Sequence, residues 1–303
     1  MNPTDLQESQ RIELLAPPTG RVRAVVDTDT YNEIDDQFAV AYAFAASDRI
    51  DVEAVYAAPF HNKRSSGPAD GMEKSYEEIE RILERLGKSS HDLAYRGSEA
   101  YLASQDNPIE SDAAHDLVKR ARASEKPLYV LALGAITNVA SAILLDPSIR
   151  SKIVVVWLGG QPHYWPTASE FNLHQDLHAS RVMFDSGVPL VQIPCSGVAS
   201  HLITTRAELD SDLGRESAIA RFLVERFEEY SDDHFAWGKV IWDISAVAWV
   251  LDESWVPTWV THSPWLSNDF RWSHDEGRHF IRVARHVNRN PVFKDLFRRI
   301  RSL

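Results

Sequence analysis

Only one cysteine, Cys195, occurs in the 303 residues of this chain. An intrachain disulfide is therefore impossible, which suits a reducing compartment, and a cytoplasmic location is expected. Long apolar runs are missing too. None approaches the roughly 18 residues that a membrane span needs, so no membrane partner is expected. The opening MNPTDLQESQRIELL is polar, carries charges of both signs, and is not expected to act as a signal peptide. Positive charge is in deficit: 32 Lys and Arg face 44 Asp and Glu, a formal net charge of −12. Such a field repels phosphate backbones, and no Lys/Arg stripe runs along the chain, so nucleic acid is not an expected partner. A neutral or cationic small molecule, or a metal cation, fits better. The sequence also lacks internal repeats, low-complexity tracts and Pro/Gly-rich linkers. The simplest organisation is an N-terminal extension over residues 1–20 followed by one domain over 21–303.

What is present is a rhythm of strand-like and helix-like segments. Residues 21–27 (RVRAVVD), 51–57, 128–133 (LYVLAL), 153–158 (IVVVWL) and 190–194 are short, apolar and rich in β-branched side chains. Helical patterns fall between them at 33–46, 68–87, 136–145 and 177–186. The second of these opens on Pro68 and closes on Gly87. Beyond residue 200 the pattern turns more helical, with segments at 216–230, 243–251 and 291–300 and one alternating strand at 279–287. Strands alternating with crossover helices imply an α/β fold with a mostly parallel central sheet covered on both faces, and a helical C-terminal elaboration. Ligands of such sheets bind beyond the carboxyl ends of the strands. Asp27 and Asp29, Gly134, and Gly159-Gly160 stand where those ends are expected.

The segment VVDTDTYNEIDDQFAVAYA concentrates acid. Asp27 and Asp29 lie two apart at a strand end, so their side chains point the same way. Asp35 and Asp36 open the next helix, where the helix dipole favours carboxylates. So short a connection gathers all four, and ionised carboxylates in one pocket repel unless a proton or cation intervenes. Calcium, which takes about 6–8 oxygen ligands in irregular geometry, suits such a set. Taken separately, an Asp pair at a helix start is ordinary cap chemistry and an Asp at a strand end ordinary turn chemistry.

DTDTYNEIDDQFAVAYA resembles the N-terminal signature of the inosine-uridine nucleoside hydrolase family, DxDxGxDDxxA. Three later segments match in order: VLALGAITNVASAILLDPSI with IVVVWLGG, then SEFNLHQDLHASRVMFDSGVPL, then WDISAVAWVLD. The resemblance implies a nucleoside-hydrolase-like fold that cleaves the N-glycosidic bond of ribonucleosides with water. It implies a calcium ion held by Asp29, Asp36, Asp243 and the backbone carbonyl of Leu133, with Asp29 also the general base for the attacking water. Asp35 would accept a hydrogen bond from the 2′-hydroxyl, Asn172 would contact the ribose hydroxyls, Glu170 would bind the 5′-hydroxyl, and Asn62 would lie near sugar and metal. Asp27 would orient the loop from behind. Members are commonly homodimers or homotetramers.

The sequence departs from the family pattern in three places. TYNEIDD is two residues longer than the usual turn and lacks its Pro-Gly. Tyr164 stands where an Asn normally precedes the Glu of EFN by six residues. Trp242 replaces the His that protonates the departing base, and indole cannot act as a general acid. His234 and His163 are candidate substitutes, with His61 and His201 behind them, while Trp242, Trp165 and Trp237 are candidates for stacking on a purine. Two alternatives stay open. One is a haloacid-dehalogenase-like phosphatase, with VVDTDT as its nucleophile motif and Asp27 as the attacking group. The other is a catalytically weak relative that binds a nucleoside or sugar.

Overall fold

The computed structural model describes residues 6–303. Residues 1–5 of the expected N-terminal extension lie outside the described residues. Eight strands form the main sheet: β1 (Val22–Thr28), β2 (Ile50–Ala57), β3 (Ala94–Tyr95), β4 (Leu128–Ala132), β5 (Ile153–Leu158), β6 (Leu190–Ile193), β7 (Thr258–His262) and β8 (Phe280–Ala284). Their spatial order is β3-β2-β1-β4-β5-β6-β8-β7. Every neighbouring pair is parallel except β7 with β8, which is antiparallel. The longer helices are α1 (Glu8–Leu14), α2 (Asp35–Ala45), α3 (Pro68–Arg85), α4 (Asp112–Arg122), α5 (Thr137–Leu145), α6 (Phe171–Gln175), α7 (Leu177–Asp185), α8 (Ala218–Glu229), α9 (Ile244–Leu251) and α10 (Arg289–Arg301).

The apolar runs form strands because both faces of the sheet are covered. Consecutive residues Val25 and Val26, Val130 and Leu131, and Val155 and Val156 divide between two separate cores, as a period of two requires. One core takes Phe38 and Tyr42 of α2, Ile79 of α3, Phe227 of α8, Trp249 of α9 and Phe293 of α10. The other takes Leu117 of α4, Val139 of α5 and Met183 of α7. Burying each such side chain contributes about 1.5–3 kcal/mol before chain entropy is subtracted.

Several elements escape the sequence pattern. β3 is two residues long, α4 reads as a polar helix, and β7 hides inside the Trp-rich stretch after α9. The largely helical C-terminal third therefore also contributes two strands to the sheet. Helix α1, within the expected extension, docks on the domain, where Arg11 Nε donates to the Gly187 carbonyl at 2.9 Å. No helix among the described residues is long and apolar enough to cross a membrane.

What positions the site is the centre of the sheet. β1, β4 and β5 lie side by side with Asp27 level with Ala132, and Ala132 level with Trp157. Their C-terminal ends therefore open together at Thr28-Asp29, Leu133-Gly134 and Leu158-Gly159.

Candidate active site

Of the four carboxylates of the acidic segment, Asp29, Asp35 and Asp36 reach the space beyond these strand ends, where Asp243 joins them, while Asp27 turns away to Asn138. Asp29 leaves β1, Asp35 and Asp36 form the first turn of α2, and Asp243 precedes α9; all are buried. One carboxylate oxygen from each of Asp35, Asp36 and Asp243 lies within 4.8 Å of the others. Capping does not explain them. The residue preceding α2 is Ile34, with no side-chain cap, and Asp243 makes no cap bond to α9. Their side chains are turned to one another instead.

Neighbouring residues hold this cluster in place. Thr28 Oγ1 donates to Asp36, and the Trp242 backbone N–H donates to Asp35 Oδ2 at 3.2 Å. Gly134 lets the end of β4 approach Asp29, since a Cβ there would stand 2.9 Å from Asp29 Cγ, inside contact distance. Behind the cluster Asp27 accepts from Asn138 Nδ2 at 2.8 Å, and the same nitrogen donates to the Ala57 carbonyl at 3.0 Å. That bond ties β1 to α5 and β2.

Both oxygens of Asp29, Oδ1 of Asp35 and Oδ1 of Asp243 are buried without a hydrogen-bond donor. Facing carboxylates can bond one another only when one carries a proton. Burial, reinforced by the charges of Asp36 and Asp35, therefore pushes Asp29 and Asp243 well above the usual carboxylate range. Burial and the charge of Asp35 push Asp36 up to about 7. Burial likewise lifts Asp27 to about 7, against the opposing bond from Asn138. Orphaned, hard oxygen atoms in a dry cluster are the donor set of a divalent cation, and this site can hold a metal.

A cavity of about 330 Å³ opens onto the cluster, a volume in the range of small-ligand sites. Among the residues named from the sequence, Asp29, Asp35, Asp36, Asn62, Leu133, Glu170, Asn172, Trp242 and Asp243 all line it. The roles of three of them need adjustment. Asn172 Nδ2 donates to the carbonyls of Leu133 at 2.7 Å and Leu158 at 2.9 Å, so its donors bridge two strand ends and its oxygen alone stays free of those bonds. Asn62 Nδ2 donates to Asn32 Oδ1 at 2.6 Å while its Oδ1 accepts the Arg64 N–H at 2.8 Å, a turn that braces the lengthened loop. Glu170 caps α6, accepting the N–H groups of Gly160 at 2.8 Å, Asn172 at 3.0 Å and Leu173 at 3.2 Å.

The structure does not bring the candidate histidines to the cavity. His234 Nε2 pairs with the Glu228 carbonyl at 3.1 Å, and its ring stacks on Phe227 and packs on Trp237. His163 Nε2 pairs with Gln192 Oε1 at 2.8 Å against Trp272, and burial drives its pKa down to about 4. It faces a separate, smaller hollow beside Tyr164 and Trp259. His201 lies beside His286, His61 is exposed, and Trp165 and Trp237 are not on the cavity wall. These histidines stand near the motifs in sequence, but tertiary packing carries them elsewhere. The phosphatase alternative loses its nucleophile in the same way, because Asp27 is buried, bonded to Asn138, and absent from the wall.

Other cavity residues gave little signal. Asn32 and Glu33 belong to the lengthened turn, and Leu158, Gln161, Phe171, Cys195 and Ser196 complete the wall. Lys239, four residues before Asp243 in KVIWD, carries no motif that marks it. Its Nζ pairs with Glu33 and lies 3.8 Å from Asp35 Oδ1. Burial opposes that charge, but Asp35 and Glu33 outweigh it and hold the ammonium protonated.

The family model described as inosine-uridine preferring nucleoside hydrolase matches residues 24–294. The chain belongs to that family. Among curated relatives, the pyrimidine-specific ribonucleoside hydrolase RihA of Escherichia coli O1:K1 is 32% identical over 158 residues, 48% of this chain and 49% of its own length. The RihA of Salmonella typhi is 30% identical over the same length. The chain thus spans about half the length of the curated relatives it matches. Among solved structures, an inosine-guanosine nucleoside hydrolase superposes with a TM-score of 0.73 at 19% identity, covering 92% of this chain and 98% of that one. A plant nucleoside hydrolase superposes at 0.72 and 20% identity, covering 93% and 99%. At these identities the likeness is one of fold, and it places the mostly parallel sheet and its flanking helices among nucleoside hydrolases.

Proposed function

We propose that this member of the nucleoside hydrolase family cleaves the N-glycosidic bond of ribonucleosides, yielding ribose and free base, with calcium as its metal. The observation that carries this reading is the cluster of buried Asp35, Asp36 and Asp243, with buried Asp29 on the same wall and several of these oxygens lacking donors, at a cavity of about 330 Å³. Asp29, Asp36, Asp243 and the Leu133 carbonyl would hold the ion; the bond from Asn172 occupies one lone pair of that carbonyl and leaves the other. When bound, the ion supplies positive charge that acidifies a water molecule and grips a vicinal diol.

In this reading Asp29 takes the proton of the attacking water as its oxygen bonds to C1′. The C1′–N bond breaks, and its electron pair leaves with the base, which must gain a proton. Asp35, held by the Trp242 N–H and Lys239, accepts from the 2′-hydroxyl. The carboxylates around the sugar favour the positive charge that develops on the ring. Among the described residues no histidine lines the cavity, so in this reading protonation of the base is the weak step. General acid catalysis contributes about 10²–10⁴-fold where it is available.

A panel of purine and pyrimidine nucleosides with 4-nitrophenyl riboside, in calcium or in chelator, tests the reading. The expected result is calcium-dependent cleavage, fastest for the nitrophenyl riboside because its leaving group needs little protonation. Binding of these ribosides with no cleavage over hours would instead favour a catalytically weak sugar-binding relative.

A further inference from the structure

The charge on the cavity wall carries a second conclusion, which rests on the hydrolase reading and narrows its substrate class. Among the described residues, six of the sixteen on the wall are acidic: Asp29, Glu33, Asp35, Asp36, Glu170 and Asp243. None is Lys, Arg, His or Tyr. Glu33 belongs to the lengthened turn, so this chain's departure from the family pattern adds to the acid.

Nearby cations leave much of that charge uncompensated. A divalent ion held by Asp29, Asp36 and Asp243 would offset two of their three charges. Lys239, which is not on the wall, pairs with Glu33 and stands 3.8 Å from Asp35 Oδ1, offsetting one of those two. Glu170 is met by backbone N–H groups rather than by a cation. With the ion in place, about three negative charges remain around the cavity. Asp35 is 4% exposed, and its Oδ1 has no hydrogen-bond donor. Two aromatic rings, Phe171 and Trp242, stand on the same wall, where a cationic ring is favoured over a neutral one.

We propose that the preferred substrates are ribosides whose glycosidic nitrogen already carries positive charge, of the N-ribosylpyridinium type, and that Glu33 sets this preference. Their chemistry suits a wall without a histidine. The water oxygen bonds to C1′ and its proton passes to Asp29. The C1′–N bond breaks, its electron pair neutralises the ring nitrogen, and the base departs uncharged with no proton added. The balance is riboside cation and water to ribose, neutral base and one proton released to solvent. Such a leaving group forgoes nothing when the general acid, a contribution of about 10²–10⁴-fold for other bases, is missing. The charge of Glu33 acts across the cavity and requires no contact with the ring.

The test uses the full chain with calcium. Calorimetry compares two C-ribosides, which have no C–N bond to cleave: the phenyl compound and its N-methylpyridinium-4-yl counterpart. The cation should bind at least about tenfold more tightly, and equal affinities overturn the proposal. Cleavage is then compared as kcat/KM for N-ribosylpyridinium and 4-nitrophenyl riboside, whose leaving groups need little protonation. Glu33→Gln removes one charge and keeps an acceptor for the Tyr230 hydroxyl. The ratio of the two kcat/KM values should fall about five- to tenfold in that variant, intrinsic reactivity cancelling between it and the parent. An unchanged ratio overturns the role of Glu33. Turnover of the nitrophenyl riboside with none of the pyridinium compound refutes the proposal and leaves the hydrolase reading intact. If neither is cleaved, the hydrolase reading fails on its own, and the two C-riboside affinities decide whether the cavity prefers a cation.

Discussion

Gly134 stands against the side chain of Asp29, so close that a methyl group on its Cα would lie 2.9 Å from the Asp29 carboxyl carbon. The end of one central strand thereby sets the position of the carboxylate on its neighbour. Gly134→Ala should displace Asp29 and lower kcat/KM by about a hundredfold, the usual cost of an ångström of misplacement. Its circular dichroism spectrum should stay that of the parent. Full activity in a folded Gly134→Ala protein would remove Asp29 from the chemistry.

The Thr28 hydroxyl is a donor to Asp36 from the strand that carries Asp29. Thr28→Val keeps the shape and removes that donor. Calcium affinity by calorimetry should weaken by about 10–100-fold, the range for partners that orient a ligand. An unchanged affinity would mean that Asp36 needs no help to face the ion.

The metal-free cluster should respond to pH in a definite direction. Asp27 and Asp36 are raised to about 7 by burial, so the folded chain binds their protons more tightly than the unfolded chain does. Their contribution is full below the unfolded value of about 4 and is lost as pH rises through about 7. In chelator, the melting temperature should therefore fall between about pH 5 and pH 8. In the proposed reading calcium would take the place of the proton on Asp36, so the gain in melting temperature on adding it should be larger at the upper end. A chelated protein that gains stability across this range would contradict the burial of these carboxylates.

Lys239 is nearly buried between Glu33 and Asp35. Lys239→Met should cost roughly 2 kcal/mol in denaturant unfolding, less than the 3–5 kcal/mol of a fully buried pair because Glu33 is partly solvated. Lys239→Arg should recover part of the loss. Equal stability of all three proteins would show that the pair contributes nothing net.

His163→Ala and His234→Ala should leave nucleoside cleavage and its pH profile within about twofold of the parent, since neither ring reaches the cavity. A hundredfold loss of inosine cleavage with retained cleavage of nitrophenyl riboside would restore the affected histidine as the leaving-group acid.

Much of this architecture is legible in the linear pattern because it depends on local alternation. LYVLA and IVVVWL can satisfy their apolar content only as strands covered on both faces, and the Asp pairs sit at the junctions where such strands end. The two-residue β3, the polar helix α4 and the edge strand β7 were not legible. Their conformations depend on neighbours far away in sequence, such as the pairing of β7 with β8.

By itself the sequence determined the α/β order and the gathering of acid at one end of the sheet, since both follow from residue type and spacing; that Trp242 stands in place of a histidine is what the resemblance to the family implied. Only the tertiary structure decided which polar atoms remain available. Asn172, Asn62 and Glu170 spend hydrogen bonds on the protein itself, while Asp29 and Asp243 keep oxygens with no donor. That division is a property of packing: a buried polar group must find a partner, and which one it finds depends on strand ends and loops that meet only after the chain has folded.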